Sequence, residues 1–407
     1  MRIGVLCHSS LGGSARVGTE LALGMAERGH HIHLFARSAP PHLRPGPRVH
    51  LYPLAGPGRV TGRLDTNWSP EDFDALVALV AAVAVRERLD LLHFHYAVPF
   101  ALVAASVRRL LGSGAPLLVG TLHGTDVSTY GYDAEVGPPV ARALHAIDQL
   151  TTVSECYARL ATVVFRLPAP PRVIPNFVDL TRFRSLSHRE RRREGRPGRF
   201  RIIHISNYRP VKGPLDVARI FLRLHRRLPV DLWLVGVGSE LPAMRAVLTE
   251  GGAEEHVHYF GYQEDVSGLL ARADLLLMAS RAESFCLAAL EAMACGVPVL
   301  ASAVGGLTEL VEHGRHGFLY PLDDDEQAEE LGAQLLSDRA RYARMCRQAV
   351  CRARQFDRDR VIGLYEDLYR DLLARRGAVE AGAGCPALVD GVSEAWCDSA
   401  IENLATS

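Results

Sequence analysis

The sequence predicts an α/β protein made of two doubly wound parallel sheets, and three features carry that prediction. Short apolar runs alternate with longer helical stretches from the N-terminus to about residue 180. A basic stretch with Pro and Gly, residues 186–199 (LSHRERRREGRPGR), then breaks the composition, and the same alternation restarts near residue 200. At 407 residues the chain also exceeds what one ordinary core supports.

Residues 3–7 are a continuous apolar run, the pattern of a strand buried on both faces. They feed a loop, residues 8–14, that contains Gly12 and Gly13. An amphipathic helix follows from about residue 17 to 28, Gly29-His30 ends it, and residues 31–36 form the next strand. A β-loop-α-β unit with glycines in its first loop brings backbone amides against a ligand. The loop lacks Gly-x-Gly-x-x-Gly, which disfavours a dinucleotide. Residues 38–71, rich in Pro, Gly and Arg, read as long surface loops. Residues 72–87 read as a helix and 89–95 as a strand. His93 and His95 alternate, as do His31 and His33, so each pair shares a sheet face. With no further ligand in evidence, these are core or solvent-facing histidines rather than a metal site.

Tyr96 follows that strand directly. A helix runs to about residue 111, and strand 117–122 ends in His123-Gly124-Thr125-Asp126. Polar groups at the carboxyl ends of parallel strands lie where such sheets bind ligands. His123 is therefore read as ligand-facing, with Asp126 orienting its ring. Strands 149–153 and 172–175 complete the first domain.

Residues 186–199 read as a solvated linker, because no aromatic residues accompany the basic run. Strands near 201–205, 231–235, 256–260, 274–279 and 297–301 follow, with helices between. Asn207-Tyr208-Arg209-Pro210-Val211-Lys212-Gly213 closes the first of them. Arg209 and Lys212 are free to reach a diphosphate, Lys as a point charge and Arg as a fork. Gly236-Val237-Gly238 lacks the third Gly of a dinucleotide fingerprint and reads as a tight turn beside the ligand cleft.

The most informative stretch is 279–298, ASRAESFCLAALEAMACGVP. Ser284 is a good N-cap, and residues 285–295, dense in Ala, Leu and Met, should be helical. Gly296 supplies a left-handed stop and Pro298 forbids continuation. Glu283 and Glu291 bracket this helix, their backbones roughly 12 Å apart at helical rise. That span suits a ligand with hydroxyls at both ends and a charged centre. The N–H groups of Phe285, Cys286 and Leu287, at the positive helix end, would receive phosphates. A Cys286 thiol placed there should be acidified and reactive. The plain alternative is an amphipathic helix with a solvated Glu291. The helix is otherwise apolar, however, and a buried unpaired carboxylate is costly unless something uses it.

Asp323-Asp324-Asp325 reads as the acidic N-cap of a helix at 326–336 rather than an Asp-x-Asp metal site. Residues 357–375 form a long amphipathic helix with Tyr365, Leu368, Tyr369 and Leu372 on its apolar face. From residue 377 onward Ala, Gly, Glu and Ser dominate, the composition of a disordered tail.

Lys+Arg and Asp+Glu balance at 46 each, which argues against nucleic acid or an acidic membrane as partner. A hydrophobic content of 48% and a mean hydropathy of +0.04 fit a soluble enzyme. The opening residues match neither a signal peptide nor a span, and the apolar run 75–85 is too short to cross a bilayer. Eight cysteines without Cys-x-x-Cys spacing point to a reduced, cytoplasmic protein.

Glu283-x7-Glu291, with Ser284-Phe285 after the first Glu and Ala292-Met293-Ala294-Cys295-Gly296-x-Pro298 after the second, resembles the donor motif of family-4 glycosyltransferases. These are retaining enzymes of GT-B fold, two doubly wound Rossmann-like domains facing across a cleft, and the resemblance spans residues 1–375 apart from the linker. It implies that Glu283 holds sugar hydroxyls and Glu291 the ribose. Lys212 and Arg209, with the helix amides, would stabilise the leaving diphosphate, and His123 would position the sugar. The implied donor site comprises Gly13, Asn207, Gly238, Gly261, Tyr262, Ser284, Phe285, Cys286, Leu287 and Glu291. Two positions depart from the family: Cys286 stands where Gly is usual, and Asn207 where Arg is usual, so Arg209 takes over. A retaining glycosidase sets its two carboxylates about 5 Å apart. Glu283 and Glu291 are spaced too widely for that, and the resemblance suggests front-face displacement.

Gly12-Gly13-Ser14, His95-Tyr96-Ala97-x-Pro99, Leu122-His123-Gly124-Thr125-Asp126 with Gly131-Tyr132-Asp133, and Asn207-x-Arg209-x-Val211-Lys212 resemble one subgroup of the family. For that subgroup the donor is UDP-N-acetylglucosamine and the acceptor L-malate, at the opening step of bacillithiol biosynthesis. The implied acceptor residues are Ser14, Arg16, Tyr96 and Thr121. No metal or other cofactor is implied; the partners are small molecules, and a homo-oligomer is compatible with the sequence. The alternatives are a sister transferase acting on inositol phosphate or a glycan, and a nucleotide-sugar-binding module without turnover. The implied layout is an acceptor domain at 1–180 to which helix 357–375 returns, a linker at 181–199, a donor domain at 200–356 and a tail at 377–407.

Overall fold

The computed structural model describes residues 1–44, 46–54, 68–186 and 198–382. The chain divides into two compact units, Met1–Ile174 with the segment from Val361 onward, and Pro175–Arg360.

The first unit is built on a seven-stranded sheet: β1 (Arg2–Leu6), β2 (His31–Ala36), β3 (Val49–Pro53), β4 (Leu91–His95), β5 (Leu117–Leu122), β6 (Gln149–Thr152) and β7 (Arg172–Val173). Its order is β3-β2-β1-β4-β5-β6-β7 and every pairing is parallel, with Ile3 of β1 opposite Ile32 on one side and Leu91 on the other. Apolar runs such as Leu91-Leu92 have no solvated face because helices Gly13–Glu27, Pro70–Arg86 and Phe100–Leu111 pack on the sheet. The strand order reverses between β1 and β4, the point where such sheets open for ligands. His8, after β1, and Tyr96, after β4, are therefore neighbours, with ring centroids 5.3 Å apart.

Three boundaries differ from the sequence reading. Strand β3 lies inside the stretch read as loops, pairing with β2 at the sheet edge. It is five residues long and closes on Pro53, so its periodic signal is weak. Pro45 and residues 55–67 of that stretch lie outside the described residues. The first helix starts at Gly13 rather than near 17, because Gly12 in extended conformation already acts as its N-cap and takes the Arg16 N–H at 3.1 Å. The last helix, Arg358–Gly382, runs past 375 and through the start of the stretch read as a tail, since Ala and Glu there are good helix formers. Most of that expected tail, 383–407, and residues 187–197 of the linker lie outside the described residues.

From Val361 onward the last helix belongs to the first unit. Tyr369 OH and His93 Nδ1 are 2.7 Å apart, and Glu366 accepts from Arg28 at 2.7 Å and sits 2.9 Å from His30 Nε2.

The second unit repeats the plan with β8 (Phe200–Ile205), β9 (Val230–Val235), β10 (Val257–Gly261), β11 (Leu275–Met278), β12 (Val299–Ser302) and β13 (Gly317–Tyr320). The order is β10-β9-β8-β11-β12-β13, again parallel, with its reversal between β8 and β11. Strand β13 is a further element missed in the sequence. It is a short run opened by Gly317, where a Cβ would stand 2.1 Å from the Val299 carbonyl oxygen. Asp324 caps helix Asp325–Ser337 by accepting the Gln327 N–H at 2.8 Å, which is the role read for the acidic triplet.

Tyr208 sits in the core of this unit with φ +40 and a buried hydroxyl that has no hydrogen-bond partner among the described residues. Tyr208→Phe removes that unsatisfied group and should raise stability by about 1 kcal/mol. The urea midpoint measures this, and a lower midpoint would show that the hydroxyl is satisfied in solution.

Among the described residues no helix is long and apolar enough to cross a membrane, and no cluster of three His, Cys, Asp or Glu is placed to hold a metal.

Candidate active site

In the second unit the site is built at the reversal between β8 and β11. His204, on β8, donates from Nδ1 to the Leu277 carbonyl of β11 at 2.9 Å and takes the Ser206 hydroxyl on Nε2 at 2.8 Å. The Ser206 oxygen in turn accepts the Tyr208 N–H at 3.1 Å, and this chain of bonds sets the turn of loop 206–212. Burial pushes the His204 pKa down to about 4, so the ring is the neutral hub of that chain. Gly213, at φ +59, lets the loop meet the end of β11: a Cβ there would lie 2.0 Å from the Ala279 carbonyl oxygen.

The result is a contact between the two loops. Lys212 Nζ donates to Glu283 Oε1 at 2.7 Å, and the Ser280 hydroxyl donates to the same oxygen at 2.9 Å. Both charged side chains are largely buried. Burial pulls the Lys212 pKa down, but the Glu283 carboxylate outweighs it and holds the ammonium above its ordinary range. Arg209 is exposed on the same loop, as is Asn207. Arg209 makes no ion pair among the described residues.

Three site residues went unread in the sequence. Ser280 supports Glu283 from three residues upstream, a spacing that was visible but ambiguous. Gly305 and Gly306 carry the other signal, a Gly-Gly pair just after a strand. The Gly306 N–H donates to the Glu283 carbonyl at 2.8 Å, and a Cβ at Gly305 would lie 2.1 Å from that oxygen. The carbonyl of Glu283 is thus held closely against Gly305 and Gly306.

That contact corrects the helix boundary. The helix is Leu287–Ala294 and its N-cap position is Cys286, not Ser284. Residues 283–286 stay out of the helix because the Gly306 bond and the Lys212 pair hold them elsewhere, so the 12 Å helical estimate does not apply. Phe285 turns inward, its ring 5.6 Å from that of Phe356, and packs in the core. Glu291 is buried on the helix, Leu287 is half-buried in its first turn, and Gly296 ends it at φ +69 as expected.

Cys286 occupies the left-handed region at φ +78, where Gly is usual. Its thiol is not acidified. Burial raises its pKa, Glu283 raises it further, and Lys212 opposes them only in part. In the native protein Cys286 should therefore resist iodoacetamide while the exposed Cys351 labels before it. Peptide mapping by mass spectrometry reads the order, and early labelling of Cys286 would show that the loop opens.

Gly238 packs its backbone on loop 206–212, where a Cβ would lie 1.9 Å from the Asn207 carbonyl oxygen. Gly236 donates to the Gly261 carbonyl at 2.7 Å, Gly261 takes φ +64, and Tyr262 beyond it is exposed.

In the first unit the reversal between β1 and β4 gathers His8, His95, Tyr96 and His123. His95 Nδ1 lies 3.0 Å from His123 Nε2. Burial pushes the His123 pKa down to about 3, with His8 adding to it, and holds His95 well below its ordinary value. Tyr96 is buried at φ +87 with its hydroxyl 2.6 Å from that of Thr125.

Three roles change here. Asp126 does not orient the His123 ring. Its carboxylate accepts the N–H groups of Gly124 at 2.7 Å, His123 at 3.1 Å and Ala97 at 3.1 Å, so it fixes the loops after β4 and β5. Thr121 is fully buried, its hydroxyl 2.7 Å from both His93 Nε2 and Thr151 Oγ1, so it ties neighbouring strands together rather than facing an acceptor. Arg16 lies in the first helix and pairs with Glu20 at 2.8 Å, not in the glycine loop. Gly13 is exposed and Ser14 half-buried at the start of that helix.

Two family models match successive parts of the chain. One described as Glycosyltransferase Family 4 matches residues 11–182, and one described as Glycosyl transferases group 1 matches 187–352. The chain is 33% identical over 379 residues to N-acetyl-alpha-D-glucosaminyl L-malate synthase of Bacillus anthracis, covering 92% of this chain and 97% of that one. It is 30% identical to D-inositol 3-phosphate glycosyltransferase of Arthrobacter sp. (strain FB24), covering 86% and 87%. Among solved structures, sucrose-phosphate synthase from Thermosynechococcus elongatus aligns with a TM-score of 0.78 at 22% identity, over 92% of this chain and 100% of that one. The chain belongs to the family-4 glycosyltransferases and is a retaining hexosyltransferase of GT-B fold.

Proposed function

We propose that this protein transfers N-acetylglucosamine from UDP-N-acetylglucosamine to the hydroxyl of L-malate, with retention at the anomeric carbon, the step that opens bacillithiol biosynthesis. The observation that carries the donor half is the buried Lys212–Glu283 pair at the β8/β11 reversal, beside the N-terminus of helix Leu287–Ala294. A nucleotide sugar supplies what this pair calls for: phosphate charge for the ammonium and sugar hydroxyls for the carboxylate. Lys212, Arg209 and the helix amides take the charge of the leaving UDP, and its phosphate oxygen takes the malate proton. His123 positions the sugar, and Ser14 and Tyr96 are the acceptor-side candidates.

Two cations and a helix end carry the leaving charge, so the reaction needs no metal, and EDTA should leave turnover unchanged. The cysteine spacing favours the cytoplasm as its place. The malate half rests on the 33% identity over 92% of the chain.

Turnover of UDP-N-acetylglucosamine with L-malate, set against turnover with inositol 3-phosphate, tests the reading. Product with inositol phosphate alone would move the protein to the sister activity, and product with neither would leave a binding module. On the donor side, Glu291→Gln should weaken UDP by at least about tenfold, or ~1.4 kcal/mol, with the fold intact. Unchanged UDP binding by calorimetry would remove Glu291 from the site.

A further inference from the structure

His95 takes no part in either substrate set, yet it is fully buried against the residue that carries most of the first-unit chemistry. Its Nδ1 meets His123 Nε2 at 3.0 Å, and its own Nε2 is buried with no hydrogen-bond partner among the described residues. A neutral imidazole has one N–H and one lone pair, and both rings are held neutral by burial.

Only two arrangements of the bond exist. If His123 donates, the His95 proton must sit on Nε2, as a buried N–H with no acceptor. If His95 donates from Nδ1, the unpartnered nitrogen carries only a lone pair. Orphaned buried N–H groups are the rarer defect in folded proteins, so the second arrangement prevails.

The ring is also held in its plane. Its centroid is 4.3 Å from that of His93, and on the helix side Gly18 leaves it room: a Cβ there would lie 2.9 Å from the His95 Cγ. His93 is itself fixed by Tyr369 and Thr121, each at 2.7 Å.

We propose that His95 is a positioning residue that fixes His123 as the Nδ1–H tautomer, so that the second nitrogen of His123 is a hydrogen-bond donor. The proposal rests on the reading of His123 as substrate-facing. It gives that residue a definite chemistry: His123 can hold a sugar or carboxylate oxygen, and it cannot accept the acceptor's proton. The malate proton then leaves to a group other than His123, as the phosphate route proposes.

Nitrogen NMR of ligand-free protein with 15N-labelled histidine reads the tautomer directly, with His123 assigned by its loss in His123→Gln. The expected result is a proton on His123 Nδ1; a proton on Nε2 overturns the proposal. Two near-isosteric variants supply a kinetic arm. His95→Asn replaces Nδ1–H with an amide N–H, whereas His95→Asp presents only an acceptor and forces His123 to donate from Nε2. The Asp variant should have a kcat at least about tenfold below the Asn variant, with a closer match in donor KM. Equal kcat in two folded variants would also overturn it. Should either variant fail to fold, the tautomer of the unaltered protein decides alone. An unchanged kcat in His123→Gln would remove the substrate-facing role of His123 while leaving the tautomer result in place.

Discussion

Lys212→Ala is expected to lower kcat by about 10²- to 10³-fold, the usual effect of removing one group aimed at charge that develops in a transition state. The reason is geometric. Lys212 is held at 2.7 Å from Glu283, on a loop that Gly213 brings against the end of β11. Its ammonium stays charged across the neutral range because the carboxylate outweighs burial. Donor binding should weaken too, but less than kcat, because charge on the leaving phosphate grows toward the transition state. The substitution also strands a buried carboxylate, so Lys212→Ala should be compared with Lys212→Ala/Glu283→Gln by thermal melting. A rise in KM with kcat held would make Lys212 a ground-state contact and remove it from the proposed mechanism.

Acidification is expected to destabilise the fold steeply between about pH 6.5 and pH 5. Several buried imidazoles carry depressed pKa values, chiefly through burial, among them His93 and His123 at about 3 and His204 at about 4. A histidine whose folded pKa is lowered binds fewer protons folded than unfolded. Its stabilising effect is complete above the unfolded value, near 6.5, and is lost as pH falls toward the folded one. Each such group contributes on the order of 1.4 kcal/mol per pH unit in that window. Three together reach about 4 kcal/mol per unit, a large part of an ordinary domain's stability. Urea midpoints at pH 7 and pH 5 measure the effect. His93 and His123 report on the first unit and His204 on the second, so domain-specific probes should both move. Coincident midpoints at the two pH values would mean that these rings are hydrated or paired in solution.

The alternation that predicts two doubly wound domains is legible because buried parallel strands are written as unbroken apolar runs. The strands it missed, β3 and β13, are short, closed by Pro53 or opened by Gly317, and defined by a neighbouring strand more than by their own pattern. In the site, Glu291 was legible as a charge in an apolar helix, Lys212 as a cation in the loop after a strand, and Glu283 through the family resemblance. The capping role given to Ser284 was a local inference, sound for an isolated segment. It failed because Gly306 and Lys212, both far along the chain, hold Glu283 out of the helix. Thr121 was read as strand-end polarity, yet its partners His93 and Thr151 come from neighbouring strands.

By itself the sequence determined which residues are apolar, where the chain must turn, and which charges sit amid apolar neighbours. Those properties depend on local composition and period, which is why the fold class followed from them, whereas the roles of the principal site residues came from the resemblance to the family-4 glycosyltransferases. The tertiary structure alone decided what each polar group touches. It turned Cys286 from an activated thiol into a buried, inert one, because the desolvation of a thiolate depends on everything packed around it. It gave Asp126 to three backbone amides in place of a ring, and it set His95 against His123 across two strands. Hydrogen bonds and burial are properties of neighbours in space, and those neighbours are up to hundreds of residues apart in the chain, as Tyr369 is from His93.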